Sequence, residues 1–227
     1  MKLSVIIPAY NEKDTVLAII DKVISLPIEK EIIVVDDGST DGTREVLLEI
    51  EKSKVKNQNF KIIFKGKNEG KGAAIRKGLE YATGDYVIFQ DADTELEPSD
   101  ITTMFKLVNN SENKVVYGSR FLKKHSLPLI NLLANKFLTF LTNILFGSRI
   151  TDMETCYKLC PRELLSALNL TANGFEIEPE ITCKILKKGY KIKEIPINYN
   201  PRRKGKKINW KDGVKAIFYI FKYRITE

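Results

Sequence analysis

The chain has 227 residues, 43% of them apolar, and carries a net charge of +8 with a pI of about 9.2. This is enough chain for one large domain with a real core, and the basic balance points to nucleic acid, an anionic membrane or a phosphorylated substrate as partner. Pro8 breaks the N-terminal apolar run too early for a signal peptide, and no run of about 18 apolar residues predicts a spanning helix. Cys156, Cys160 and Cys183 lack the paired spacing of a zinc site and read as buried thiols of a reducing cytosol. His125, the single histidine, sits between Lys124 and Ser126 in a predicted turn, which argues against Ser-His-Asp and Cys-His chemistry.

Apolar runs predict strands at Leu3–Pro8, Glu31–Val35, Lys61–Phe64, Tyr86–Gln90 and Val115–Tyr117. Segments of 3.6-residue period between them predict helices at about Lys13–Ser25, Thr43–Lys52, Lys71–Ala82 and Ser99–Asn109. Such alternation means an α/β fold with a mostly parallel sheet and crossover helices. The α/β part is expected to run to about residue 120 and to continue, within a single domain 1–227, into a helical, basic part over 121–227.

In a parallel sheet the carboxyl ends of the strands share one edge, where open α/β sheets bind ligands. Three polar clusters fall there: Pro8-Ala9-Tyr10-Asn11-Glu12, Asp36-Asp37-Gly38-Ser39 and Asp91-Ala92-Asp93. Asp91 and Asp93, two apart in extended chain, aim at one point. Two hard oxygen donors suit Mg²⁺ or Mn²⁺ shared with substrate phosphates, and Glu95 continues the alternation as a candidate third ligand. A polar loop capping the next helix is the competing account. Asp36 and Asp37 exceed what a turn needs, so one of them is a candidate acceptor for a nucleobase or ribose; Tyr10 would either stack on a base or sit in the core. Asn68-Glu69-Gly70-Lys71-Gly72 opens a helix whose free N–H groups would favour anions. It is not a P-loop, and no G-x-G-x-x-G indicates a dinucleotide.

Farther along, Leu127–Phe146 carries a narrow polar stripe (Asn131, Asn135, Thr139, Thr142, Asn143) and is apolar elsewhere, wider than a soluble surface helix requires. The excess must meet core, a second copy, a membrane-protein partner or the lipid interface. Trp210–Ile225 sets Val214, Ile217, Phe218, Phe221 and Ile225 against Lys211, Lys215 and Lys222, a pattern that suits an anionic leaflet or packs back on the domain. The run Arg202, Arg203, Lys204, Lys206, Lys207 can supply cations to a leaving diphosphate and close as a lid, or be a solvated loop.

Together, S-V-I-I-P-A-Y-N-E (Ser4–Glu12), V-V-D-D-G-S-T-D-G-T (Val34–Thr43), N-E-G-K-G-A (Asn68–Ala73), G-D-Y-V-I-F-Q-D-A-D (Gly84–Asp93) and Gly118-Ser119-Arg120 resemble the family 2 glycosyltransferases of GT-A fold. Thr151–Lys158, Phe175–Glu180, Glu194–Ile197 and Gly205–Lys207 resemble the branch of dolichyl-phosphate mannose synthase and the polyprenyl-phosphate sugar synthases. The resemblance implies that Pro8, Tyr10, Glu12 and Asp37 hold the nucleoside of a UDP- or GDP-sugar donor. Lys71 would stand on the donor side, and Asp91, Asp93 and Glu95 would hold the metal. Relatives often have Gln where this chain has Glu95. Arg120 would face the acceptor phosphate, and Arg202 or Arg203, with Lys207, the donor phosphates. It implies inversion at the anomeric carbon, while the over-wide apolar surface of Leu127–Phe146 and the basic last helix predict peripheral binding at the cytoplasmic face of a membrane. A polyprenyl phosphate acceptor is already ionised, whereas a sugar hydroxyl would need a base, for which Asp152 is the candidate. Two other classes fit less. A receiver domain would leave Asp91, Asp93 and the last hundred residues unexplained. A nucleic-acid binder would want aromatics among the basic run, which has none.

Overall fold

β1 (Leu3–Ala9) is buried along its whole length, as an apolar run must be in the middle of a parallel sheet covered on both faces. The computed structural model describes residues 1–54, 59–109, 114–123, 129–202 and 210–226. His125 and, of the basic stretch, Arg203, Lys204, Lys206 and Lys207, with the lid expected there, lie outside them. β2 (Lys30–Asp36), β3 (Phe60–Phe64), β4 (Tyr86–Phe89), β5 (Val115–Ser119), β6 (Lys158–Pro161) and β7 (Ile192–Pro196) complete a seven-stranded sheet of order β3-β2-β1-β4-β6-β5-β7. All pairings are parallel except those of β6 with β4 and β5. Strand order runs outward from β1 to β3 on one side and resumes at β4 on the other. The switch point between β1 and β4 is where a crevice opens.

Helices α1 (Val16–Ile24), α2 (Thr43–Lys54), α3 (Lys71–Leu79) and α4 (Ser99–Asn109) follow the first four strands as crossovers. The later helices are α5 (Leu129–Phe146), α6 (Arg162–Ser166), α7 (Ile177–Lys187) and α8 (Trp210–Ile225). Two strands and two helices beyond residue 120 were not among the predicted elements. β6 is four residues long with a lysine at one end and a proline at the other. α7 hides Glu178, Glu180 and Lys184 among its buried residues, which blurs the apolar period that identifies a helix. The segment after residue 120 is therefore helical and basic, as expected, but also adds strands to the same sheet.

A second, smaller apolar cluster joins Leu138 of α5, Met153, Cys183 of α7 and Ala216, Ile220 and Tyr223 of α8. All three cysteines are buried free thiols. Burial raises each of them, Cys160 to about 12.

Candidate active site

Ala9 at the end of β1 pairs with Asp36 of β2, and Ile6 pairs with Phe89 of β4. The segments after these three strands therefore open on one edge. Asn11 turns the chain in the left-handed region (φ 49°), which asparagine tolerates better than most residues. Its N–H donates to Ser39 Oγ at 3.0 Å, and its side-chain oxygen accepts the Thr40 N–H at 2.8 Å. The two adjacent acids divide the work. Asp36 is fully buried and accepts two guanidinium bonds from Arg44, at 2.7 and 2.8 Å. Asp37 faces the crevice and accepts the Gly70 N–H at 2.7 Å, the Glu69 N–H at 3.2 Å and the Lys65 ammonium at 2.5 Å.

The glycines of Asn68–Gly72 serve a close backbone approach. A Cβ on Gly70 or Gly72 would lie 2.4 Å from the carbonyl oxygen of Asn173 or Ala172. Gly72 and Ala73 donate to the carbonyls of Gly174 (3.2 Å) and Asn173 (3.0 Å). This corrects the expectation of a bare anion site at the start of α3: the N–H groups of Gly70, Gly72 and Ala73 have protein partners.

A cavity of about 720 Å³ lies along this edge, within the usual size of a ligand site. Pro8, Tyr10, Glu12, Asp37, Lys71, Asp91, Asp93, Glu95, Arg120 and Arg202 all line it. Asp152 does not; it is fully buried behind the wall. Lys71 bridges Asp91 (2.7 Å) and Glu178 (3.0 Å), and the fully buried Lys158 ion-pairs with Glu178. Burial pushes the Asp91 carboxyl up, but Lys71, together with Cys156 and Arg120, outweighs it and the net shift is downward. Asp93 goes the other way: burial and the charge of Asp91 push it up to about 7 against the pull of Arg202, 3.2 Å away.

Asp91 and Asp93 thus present hard oxygen donors at the crevice, which fits Mg²⁺ or Mn²⁺ completed by water and substrate phosphates. Among the described residues no three carboxylate, histidine or cysteine groups converge into a cage. Glu95, expected as a third ligand, is engaged elsewhere. Its carboxylate accepts the Tyr199 hydroxyl at 3.0 Å and the Arg202 N–H at 2.8 Å. Arg202 also binds Glu12 at 2.9 and 3.1 Å, so one guanidinium sits amid three crevice carboxylates.

On the other side, Arg120 leaves the end of β5 and is gripped by Asp152. Its Nε and Nη2 donate to the two carboxylate oxygens at 2.8 and 2.7 Å, and its backbone N–H donates at 2.9 Å. Glu194 in turn accepts the N–H groups of Thr151 (2.7 Å) and Asp152 (3.0 Å). The Asp152 carboxylate, the candidate base for a sugar-hydroxyl acceptor, is directed at Arg120 rather than into the cavity. Three carboxyls absent from the expected set do line the cavity, Glu154, Glu178 and Asp212 of α8. Glu154 and Glu178 lie in segments that carry the resemblance, which was their only signal in the sequence.

Residues 4–168 match the family model described as Glycosyl transferase family 2. A dolichyl-phosphate beta-glucosyltransferase of Saccharomyces cerevisiae is 33% identical over 224 residues, 87% of this chain; the chain spans 66% of that relative's length. The glycosyltransferase AglJ of Haloferax volcanii is 29% identical over 226 residues, with 97% of this chain and 70% of the relative covered. Among solved structures, glucosyl-3-phosphoglycerate synthase from Mycobacterium tuberculosis in complex with Mn²⁺, UDP and phosphoglyceric acid is similar with a TM-score of 0.76. That match covers 100% of this chain and 79% of the other at 18% identity, a likeness of fold. A mixed, mostly parallel sheet with its crevice at the β1–β4 switch point, and a family match over most of the length, place the chain in glycosyl transferase family 2 with the GT-A fold.

Proposed function

We propose that this chain transfers a hexose from a nucleoside diphosphate sugar to a polyprenyl phosphate, bound peripherally at the cytoplasmic face of a membrane. The observation that carries the reading is the orientation of α5. Its polar stripe turns inward: Asn131 and Asn135 line the cavity, and Thr139 and Thr142 are buried. Leu138 packs inward with them, but a second set of apolar residues turns outward, with Leu133, Phe137, Phe140 and Ile144 each more than half exposed. A soluble surface helix keeps its apolar residues on the inner face and its polar ones outside. α8 packs inward through Ala216, Ile220 and Tyr223 and exposes Val214, Phe218, Phe221 and Ile225. Asp212 and Gly213 of α8 line the same cavity as the donor-side carboxylates. A lipid could therefore lie against the apolar faces while its phosphate reaches Arg120. No helix among the described residues is long and apolar enough to cross a membrane. The yeast relative's name, with its dolichyl phosphate and glucosyl group, supports the same acceptor class and a hexosyl donor.

In this reading Tyr10 and Asp37 border the nucleoside, and Asp91 and Asp93 hold the divalent metal. That metal would stabilise charge on the leaving diphosphate. Arg202, released from the carboxylates it now neutralises, stands ready to pair with the same phosphates. Asp152 fixes the guanidinium plane of Arg120 toward the acceptor phosphate. That phosphate oxygen is ionised near neutral pH, so no general base is needed. A sugar-hydroxyl acceptor is the second reading, favoured by Glu154 and Glu178, carboxyls on the cavity wall that could serve as base. The test is to supply purified protein with Mn²⁺, a panel of UDP- and GDP-hexoses, and either detergent-solubilised polyprenyl phosphate or oligosaccharides. Glycosyl polyprenyl phosphate is the expected product; transfer to hydroxyls alone would overturn the lipid-phosphate reading.

A further inference from the structure

The carboxylates around the cavity floor are compensated within the protein. Asp152 has Arg120, Asp91 has Lys71, and Glu178 has Lys158 and Lys71. Deeper in the domain, Glu180 has Lys184 and the N–H groups of Thr171 and Ala172. Glu154 differs. It lines the cavity, and its Oε1 is buried without a hydrogen-bond partner; Glu178 Oε1 also accepts no hydrogen bond, but the Lys71 ammonium lies 3.0 Å from it. An unmatched buried acceptor is destabilising and is rare in folded proteins. Such an atom on the wall of a ligand cavity is accounted for if the ligand brings the missing donor.

We infer that Glu154 is a specificity residue that hydrogen-bonds a hydroxyl of the transferred sugar. The inference rests on the donor reading above. The place of Glu154 narrows the chemistry. Asp91 and Asp93 would mark the diphosphate end of the donor, and Arg120 the acceptor phosphate. Glu154 belongs to the loop between Asp152, which grips Arg120, and Lys158 of β6, which pairs with Glu178. The sugar must lie between the two phosphate positions. Phosphate is repelled by a carboxylate, whereas a sugar hydroxyl is a neutral donor and acceptor. The charged groups acting on Glu154 are Lys158 of β6, Glu178 of α7, Arg120 at the end of β5 and Asp152 of its own loop. Burial pushes its carboxyl up to about 7, the two acids adding to this and the two cations opposing it. Near neutral pH the group can therefore accept from a hydroxyl or donate to one.

The experiment compares Glu154→Leu and Glu154→Gln with wild type by calorimetry in Mn²⁺. The probes are UDP, GDP, the nucleoside diphosphate hexose that binds wild type, and the four monodeoxy forms of that hexose. One deoxy form should bind wild type about 10- to 100-fold more weakly than the parent, as expected for loss of a hydrogen bond to a charged group. Glu154→Leu should weaken the parent by a similar factor, bind that deoxy form no worse than wild type does, and leave the nucleoside diphosphate within twofold. Glu154→Gln should keep part of the discrimination. The Tm of both variants should equal or exceed that of wild type, because an unmatched carboxyl is removed. An unchanged deoxy pattern in Glu154→Leu, an equal loss for UDP or GDP alone, or a Tm fall of several degrees in both variants would overturn the assignment. If no nucleotide sugar binds wild type, the donor reading itself fails, a result distinct from each of these.

Discussion

Truncating Asp152 to alanine removes three hydrogen bonds, at 2.7, 2.8 and 2.9 Å, from Arg120. The arginine side chain is only 14% exposed and its partner fully buried, so the guanidinium would be left as an uncompensated charge. Breaking such a pair costs about 3–5 kcal/mol. At about 2–4 °C per kcal/mol for a domain of this size, the Tm should fall by about 6–20 °C. Adding Arg120→Leu to Asp152→Ala removes the orphaned charge and should restore a substantial part of the loss, giving a double-mutant coupling well above the noise of the measurement. Asp152→Asn keeps one acceptor oxygen and should fold. If Asp152 orients Arg120, that variant should raise the KM for polyprenyl phosphate while leaving the shape of the pH–rate profile intact. If it were the base, the acidic limb of kcat/KM would vanish with KM unchanged. The latter result, or an Asp152→Ala stability within about 1 kcal/mol of wild type, would refute the positioning role.

Asp91→Asn and Asp93→Asn should each fold and lose about 10²-fold or more in turnover, with Mn²⁺ affinity weakened in parallel by calorimetry; wild-type turnover at saturating Mn²⁺ would sink the metal assignment. Phe137→Glu with Phe140→Glu, both on the outward face of α5 and 54% and 61% exposed, should leave the Tm nearly unchanged and release the protein from anionic liposomes. Retention of wild type in the supernatant at low salt would remove the interfacial reading. Glu154 carries a pH signature. Its folded carboxyl titrates at about 7 against an ordinary value of 4.5, so the folded state binds more protons between these values and wild type loses stability as pH rises through that window. The gap corresponds to about 3 kcal/mol at most. Glu154→Gln should therefore be more stable than wild type at pH 8 and equal to it near pH 4.5; a difference independent of pH would contradict the shift.

Much of the fold and part of the candidate site could be read along the chain. β1, β2 and β4 are continuous apolar runs, and the clusters at their ends are adjacent to them in sequence. Pro8, Tyr10, Glu12, Asp37, Asp91 and Asp93 converge because parallel strands put their carboxyl ends on one edge. That logic needs only local periodicity and the right-handed crossover. It failed for β6 and α7, where Lys158, Glu178, Glu180 and Lys184 are buried by pairing with one another or with backbone, a state that composition records as polar.

Several site features depend on pairs far apart in the chain. Asp152 reaches back to Arg120, and Lys71 joins Asp91 to Glu178. Glu95 turns to Tyr199 and Arg202, and Arg202 crosses to Glu12. Whether an acid is a ligand, a strut or an unmatched acceptor is set by which cation or donor lies within about 3 Å of it in the folded chain. Helix α5 makes the same point for apolar residues. Its period announced two faces, but which one turned outward was decided by the cavity, α7 and α8 on its inner side. Periodicity is a property of neighbours along the backbone; burial and charge compensation are properties of neighbours in space, and only packing brings those together.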